Sequence, residues 1–179
     1  MGKRIMTSRI LWFAMLMTIG VYVLVLNVVV IPAPTEPLQP LLPLVFGFVS
    51  LSVALLSFII PKSGLRRGLL RLELPLIEVS DPNAAEAFNK TIRTFAKPEQ
   101  AAKRAFAAYN TALIVGLALS ESIALYGLVL GFLGYGSPTA APFFAFAAVL
   151  IAVRFPTEAA VLRPLESAYD AKWLATQAE

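Results

Sequence analysis

Apolar and polar positions alternate along this chain on a long scale, as apolar runs separated by polar breaks of very different length. Four stretches are long enough to cross a hydrocarbon core of about 30 Å, or about 20 helical residues: 10–31, 41–60, 109–134 and 138–155, the last free of charge as far as Val153. The first follows Lys3, Arg4 and Arg9. It outruns the roughly 7 to 15 apolar residues of a secretory signal and has no small-x-small cleavage site after it, so an uncleaved spanning helix is expected. The fourth opens with Ser137 as an N-cap and Pro138 at the first helical position, where the missing N–H costs nothing. From Pro138 to Phe155 it reaches about 27 Å, which lets Arg154 snorkel to the interface. The expected fold class is all-α: a polytopic membrane protein of four transmembrane helices forming one domain over residues 1–179.

The breaks carry their own patterns. Pro32, Pro34, Pro37, Pro40 and Pro43 favour a stiff, extended connector between the first two spans. The loop 61–108 is long and is expected to be helical. In "KSGLRRGLLRLELP", Leu65, Leu69, Leu72 and Leu76 recur at helical spacing with Arg66, Arg67 and Arg71 between them. That pattern suits an interfacial amphipathic helix whose Lys62, Arg66, Arg67 and Arg71 contact anionic headgroups, or a solvated basic face that enforces topology. Asp81 and Pro82 read as a helix start, with helical composition up to Lys97. Pro98 then opens a helix that meets no stop before Gly134, about 37 residues and roughly 55 Å long. In the tail, 156–179, Pro156 and Pro164 interrupt a polar helix.

Composition agrees with a membrane protein: 58% hydrophobic, 15% charged, mean hydropathy +0.75, against about a quarter charged in soluble domains. Charge adds the orientation. All 15 basic residues precede the first span, lie between the second and third, or come at the end of the fourth and beyond it. The other two loops, "PAPTEPLQP" and "GYGSPTAAP", carry none, so both termini and the loop 61–108 are expected in the cytoplasm, in a bacterial inner membrane. The net charge of +4 therefore reads as topology and lipid contact. No basic stripe with interleaved aromatics points to nucleic acid.

With no His and no Cys, the usual haem, thiolate and zinc sites and His- or Cys-based nucleophilic catalysis are absent from the repertoire. The segment "GFLGYG" lies at the far end of a membrane helix and reads as helix exit and close packing, not as a phosphate loop. No enzyme activity, metal or cofactor is expected.

One carboxylate stands out. Glu121 lies in the middle of the third span, where an acidic side chain costs roughly 2.5 to 3.5 kcal/mol on insertion scales, so such residues usually face protein or water. Gly116, Ser120, Ala124, Gly127, Gly131 and Gly134 form one narrow stripe at helical spacing, a small-residue seam that lets backbones approach closely. Glu121 flanks this seam. It is either a polar contact to a neighbouring helix or an ion-binding group to which Ser120, Ser122 or Tyr126 supplies hydrogen bonds.

The run "GLALSESIALYGLVLGFL", Gly116 to Leu133, resembles the carboxylate helix of the rotary ATP synthase membrane-ring c subunit, of the form small/apolar-Glu-x-x-x-Ile/Leu-Tyr-Gly-Leu-Val. In the resemblance Glu121 stands at the ion-binding carboxylate, Tyr126 at the tyrosine five positions later, and Gly127, Leu128 and Val129 at the residues after it. The implied property is uptake and release of H⁺ or Na⁺ by Glu121. The preceding span lacks that family's glycine repeat, and the rest of the chain does not match.

Two functions of different class follow. One is a non-catalytic four-helix membrane subunit that packs into a homo-oligomer or larger membrane complex through the seam. The other is a subunit that binds or translocates H⁺ or Na⁺ at Glu121.

Overall fold

The computed structural model describes residues 2–29, 39–80 and 91–173. The proline-rich connector, the expected helix start at Asp81 and Pro82 and the end of the tail lie wholly or mainly outside them. Among the described residues, three helical runs are long and apolar enough to cross a membrane: Ile5–Val28, Leu41–Leu70 and Pro98–Ala152. The third, 55 residues long, is not one rod. Ser120 and Arg154 are 34 positions apart yet share a hydrogen bond of 2.8 Å, whereas a straight helix would separate them by about 51 Å. The chain reverses through a wide turn at Gly131–Tyr135, where Gly134 (φ 91°) and Gly136 (φ 78°) take left-handed backbone that glycine adopts without a Cβ penalty.

The helices are therefore α1 (Gly2–Val28), α2 (Leu41–Leu70), α3 (Pro98–Leu130), α4 (Gly136–Ala152) and α5 (Glu158–Tyr169). Pro98 occupies the first turn of α3, where no backbone donor is needed. At α4, Ser137 does not act as the cap: the helix begins at Gly136, two residues before the expected Pro138, with Tyr135 at the cap position and no side-chain cap bond. The left-handed Gly134 and Gly136 make the entry instead. Thr157 does cap α5, accepting from the Ala160 amide at 3.2 Å. Pro164 lies inside α5 and does not interrupt it.

Side-chain contacts set the directions. Ser8 pairs with Asn110 and Tyr22 with Glu121, numbers rising together, so α1 and α3 run parallel. Gly68 faces Ala108, Gly116 faces Pro61 and Phe46 stacks near Tyr126, so α2 runs against α3. Gly127 meets Ala140 and Phe143, so α4 runs against α3 as well. The outward sides of α1 and α2 stay apolar and uncovered, with Ile10, Phe13, Leu24, Leu44, Phe48 and Leu55 all exposed. Polar residues do not surround these helices, as they would around a helix solvated by water.

Below the bundle the chain departs from an all-α fold. β1 (Leu76–Ser80) and β2 (Thr91–Phe95) pair antiparallel, in register from Leu76 opposite Phe95 to Ser80 opposite Thr91. The helical reading is thus corrected for residues 91–95. "TIRTF" places β-branched Thr91, Ile92 and Thr94 on an extended backbone that suits them. Ile92, Thr94 and Phe95 are buried, and the Phe95 ring lies 5.9 Å from those of both Tyr169 and Trp173. Arg93 and Glu78 face each other across the ladder at 3.8 Å. The Lys172 amide donates to the Arg93 carbonyl, which ties the segment after α5 to the hairpin.

The amphipathic segment is corrected too. Lys62 to Leu70 is not a separate helix in the interfacial plane; it is the continuation of α2 past Pro61, with Arg71 at the C-cap. Leu69 is buried and Leu65 and Leu72 are partly so, packed in the protein core. The Tyr169 hydroxyl donates to the Leu69 and Leu72 carbonyls, closing the end of α2. Burial raises the Tyr169 phenol above its ordinary value, and the charge of Arg104 partly opposes this.

Candidate functional site

The polar groups among the apolar helices form two centres on α3, one residue apart in sequence. Arg154 holds the first. It lies two residues past the end of α4 and does not snorkel outward as expected; its guanidinium turns back between α2, α3 and α4. Nη1 donates to Ser120 Oγ (2.8 Å) and the Leu150 carbonyl (2.6 Å). Nη2 donates to the Ser57 carbonyl (3.0 Å) and Ser57 Oγ (2.7 Å). The guanidinium carbon sits 4.3 Å from the centre of the Phe58 ring, within cation–π range.

The reason for the inward turn is in the backbone. Pro61 has no N–H, so the Ser57 carbonyl four residues earlier has no helical donor, and Arg154 fills that vacancy. The Leu150 carbonyl belongs to the last turn of α4, where carbonyls also lack helical partners. Ser57 and Ser120 are fully buried and send their own protons to the Ala54 and Gly116 carbonyls (2.6 and 2.8 Å), leaving lone pairs for the guanidinium. No carboxylate among the described residues pairs with Arg154. Four neutral acceptors hold the charge.

Glu121 forms the second centre. It is half-buried, and its Oε1 accepts a 2.8 Å hydrogen bond from the Tyr22 hydroxyl of α1. The three expected partners are engaged elsewhere. Ser120 is part of the Arg154 centre, Ser122 donates to the Leu119 carbonyl (2.8 Å), and the Tyr126 ring lies 5.5 Å from that of Phe46. Two further bonds pin α1: Ser8 Oγ to Asn110 Oδ1 and Trp12 Nε1 to the Ile151 carbonyl, each 2.7 Å.

The small-residue stripe is occupied by the chain itself. Gly116, Ser120, Ala124, Gly127 and Gly131 are buried, and Gly134 forms the reversal. A Cβ on Gly116 would meet Arg154 Nε at 3.2 Å and Pro61 Cγ at 3.3 Å, and one on Gly127 would meet Phe143 Cβ at 2.8 Å. Leu26 of α1 fills the place that Gly131 leaves. Lys62, Arg66, Arg67 and Arg71 are all exposed along the lower end of α2.

Sequence reasoning missed Tyr22 and the inward role of Arg154. The Ser57-to-Pro61 spacing of four was a usable signal, since it marks a carbonyl without a helical donor. Tyr22 had no such mark. Comparison with protein-family models, with curated proteins and with solved structures finds no match to this chain.

Proposed function

We propose that this protein is a non-catalytic, four-span subunit of a bacterial cytoplasmic membrane, with both termini and the loop 61–108 in the cytoplasm, in which Arg154 and Glu121 are fixed contacts that hold the helices in register. The observation that carries the reading is the use of these groups. Arg154 spends four bonds on three helices and Glu121 is bonded to Tyr22. The seam on α3 is filled from within, so contacts with a second copy or another membrane protein fall on the exposed outer faces of α1 and α2.

Orientation has its own support. Arg9 and Arg154 lie at the end of the bundle from which the basic lower part of α2 extends, whereas the Tyr135 hydroxyl donates to the Gln39 carbonyl at the opposite, uncharged end. By the positive-inside rule, single cysteines at Lys97 and Asp170 are expected to react only from the cytoplasmic side, and ones at Gln39 and Ser137 only from outside. A Ser137 cysteine labelled from the cytoplasm would break the four-span topology.

A second reading rests on the Tyr22 bond and on the c-subunit resemblance around Glu121. A half-buried carboxylate with one hydroxyl donor could also exchange H⁺ or Na⁺. Glu121→Gln separates the two, because it keeps the shape and an acceptor for Tyr22 while removing proton exchange. A fixed contact tolerates it, with a change in thermal stability of no more than about 1 kcal/mol. A carbodiimide, which requires a protonated acid in an apolar and reachable place, should then leave Glu121 unlabelled. Preferential labelling at Glu121, faster at low pH or slowed by Na⁺, together with loss of ion flux in Glu121→Gln, would establish the ion-handling reading instead.

A further inference from the structure

A groove of about 410 Å³ runs between the lower end of α2 and α5, lined by Lys62, Leu65, Arg66 and Leu69 on one side and Pro164, Ser167 and Ala168 on the other. The α2 residues recur at intervals of three and four and so share one face. Neither Lys62 nor Arg66 pairs with a carboxylate among the described residues. Counted from Ile60, the last residue of the apolar run, Lys62 and Arg66 lie about 3 and 9 Å further along the helix. The polar zone of a leaflet begins at that edge and is about 5 to 8 Å deep. Directly above them on the same face, Leu55, Phe58 and Ile59 are exposed.

From this placement we infer that the groove is a binding site for one anionic phospholipid of the cytoplasmic leaflet. The phosphate lies between Lys62 and Arg66, the acyl chains rise along Leu55, Phe58 and Ile59, and the remainder of the headgroup enters the groove against Leu65 and Pro164, within reach of the Ser167 hydroxyl. The charges are complementary, and the apolar strip and the cationic pair come in the order in which a lipid presents its chains and phosphate. Arg67 and Arg71 do not line the groove and serve only the general attraction of a basic surface. The inference uses the spanning of α2, but not the role assigned to Glu121.

Native mass spectrometry of the full chain released from nanodiscs of mixed phosphatidylglycerol and phosphatidylcholine tests it. One phosphatidylglycerol per chain is expected to remain bound. Lys62→Gln with Arg66→Gln should weaken retention roughly thirtyfold, as expected for two basic residues at the surface, and Arg67→Gln with Arg71→Gln should change it little. Ser167→Trp, which fills the groove from the exposed side of α5 and leaves every charge in place, should also reduce retention while the melting temperature stays unchanged. Equal losses from the two double variants would mean diffuse attraction and overturn the site. So would full retention in Ser167→Trp. Displacement of the lipid by millimolar inorganic phosphate would make it a free-anion site and overturn the proposal as well.

Discussion

Arg154→Met is expected to be among the most destabilising single changes in this chain, at about 2 to 5 kcal/mol, read as a fall in melting temperature in mild detergent of about 6 to 12 °C for a typical 3 kcal/mol loss. Methionine keeps most of the volume but donates nothing. The Ser57 carbonyl, which Pro61 leaves without a helical donor, then has no partner, and Leu150 loses one as well. Unsatisfied acceptors are costly away from water. Arg154→Lys should recover only part of the loss, because an ammonium is a point donor and cannot span acceptors on three helices as a guanidinium does. The decisive variant is Pro61→Ala. It restores the N–H that can bond the Ser57 carbonyl, so in combination with Arg154→Met it should cost less than the sum of the two single changes by about 1 kcal/mol or more. Strict additivity would show that Arg154 and the Ser57 carbonyl are not coupled, and the account of the inward turn would fail.

The long apolar helices were legible because a run of about 20 mostly apolar residues that is to cross a bilayer has to be helical to satisfy its own backbone. The reversal was legible from glycines, since Gly134 and Gly136 supply conformations that other residues avoid. The hairpin of β1 and β2 was not. "TIRTF" is short, and its partner strand is separated from it by a charged segment, so its β-branched residues alone are too weak a signal to set a strand there against a helix. What decides is the packing of Phe95 against Tyr169 and Trp173, residues more than seventy positions away. Of the leucines at 65, 69, 72 and 76, only Leu65 and Leu69 lie on α2, turned toward the protein, while Leu72 follows the helix and Leu76 opens β1; periodicity alone tells neither where a helix stops nor whether its apolar face meets protein or lipid.

Of the candidate site, Glu121 was visible because a carboxylate in an apolar run needs a reason, and the structure supplies a partner in Tyr22. The partner itself was illegible, since α1 meets α3 across 99 positions. Arg154 was read from its place near a helix end, where long cations usually reach outward. That rule weighs only the cost of burying charge. It omits what acceptors other helices offer, and here Ser57, Ser120 and a carbonyl freed by Pro61 outweigh the pull of the interface.

Gly127→Ala should be far more damaging than the same change at Gly131 or Gly47, and the order separates packing within the chain from packing between chains. A Cβ on Gly127 would sit 2.8 Å from Phe143 Cβ and 3.0 Å from the Ala140 carbonyl oxygen. Both belong to the stem of α4, so relief requires the hairpin itself to open. About 1 to 3 kcal/mol is expected, more for leucine. On Gly131 the obstacle is the branched end of the Leu26 side chain, which can rotate away, so the cost should be smaller. Nothing lies within 4 Å of a Cβ on Gly47, and alanine there should be neutral or stabilise α2 by up to about 1 kcal/mol through helix propensity. Thermal melts of the three variants in detergent check the order, and equal losses at Gly127 and Gly131 would mean that α4 is not held against α3 as described. Cross-linking in native membranes adds the second half. If the seam of α3 serves only the chain's own hairpin, Gly127→Ala lowers the melting temperature and leaves the cross-linking per folded chain unchanged, whereas Gly47→Leu disturbs a contact between copies only if one uses the open face of α2.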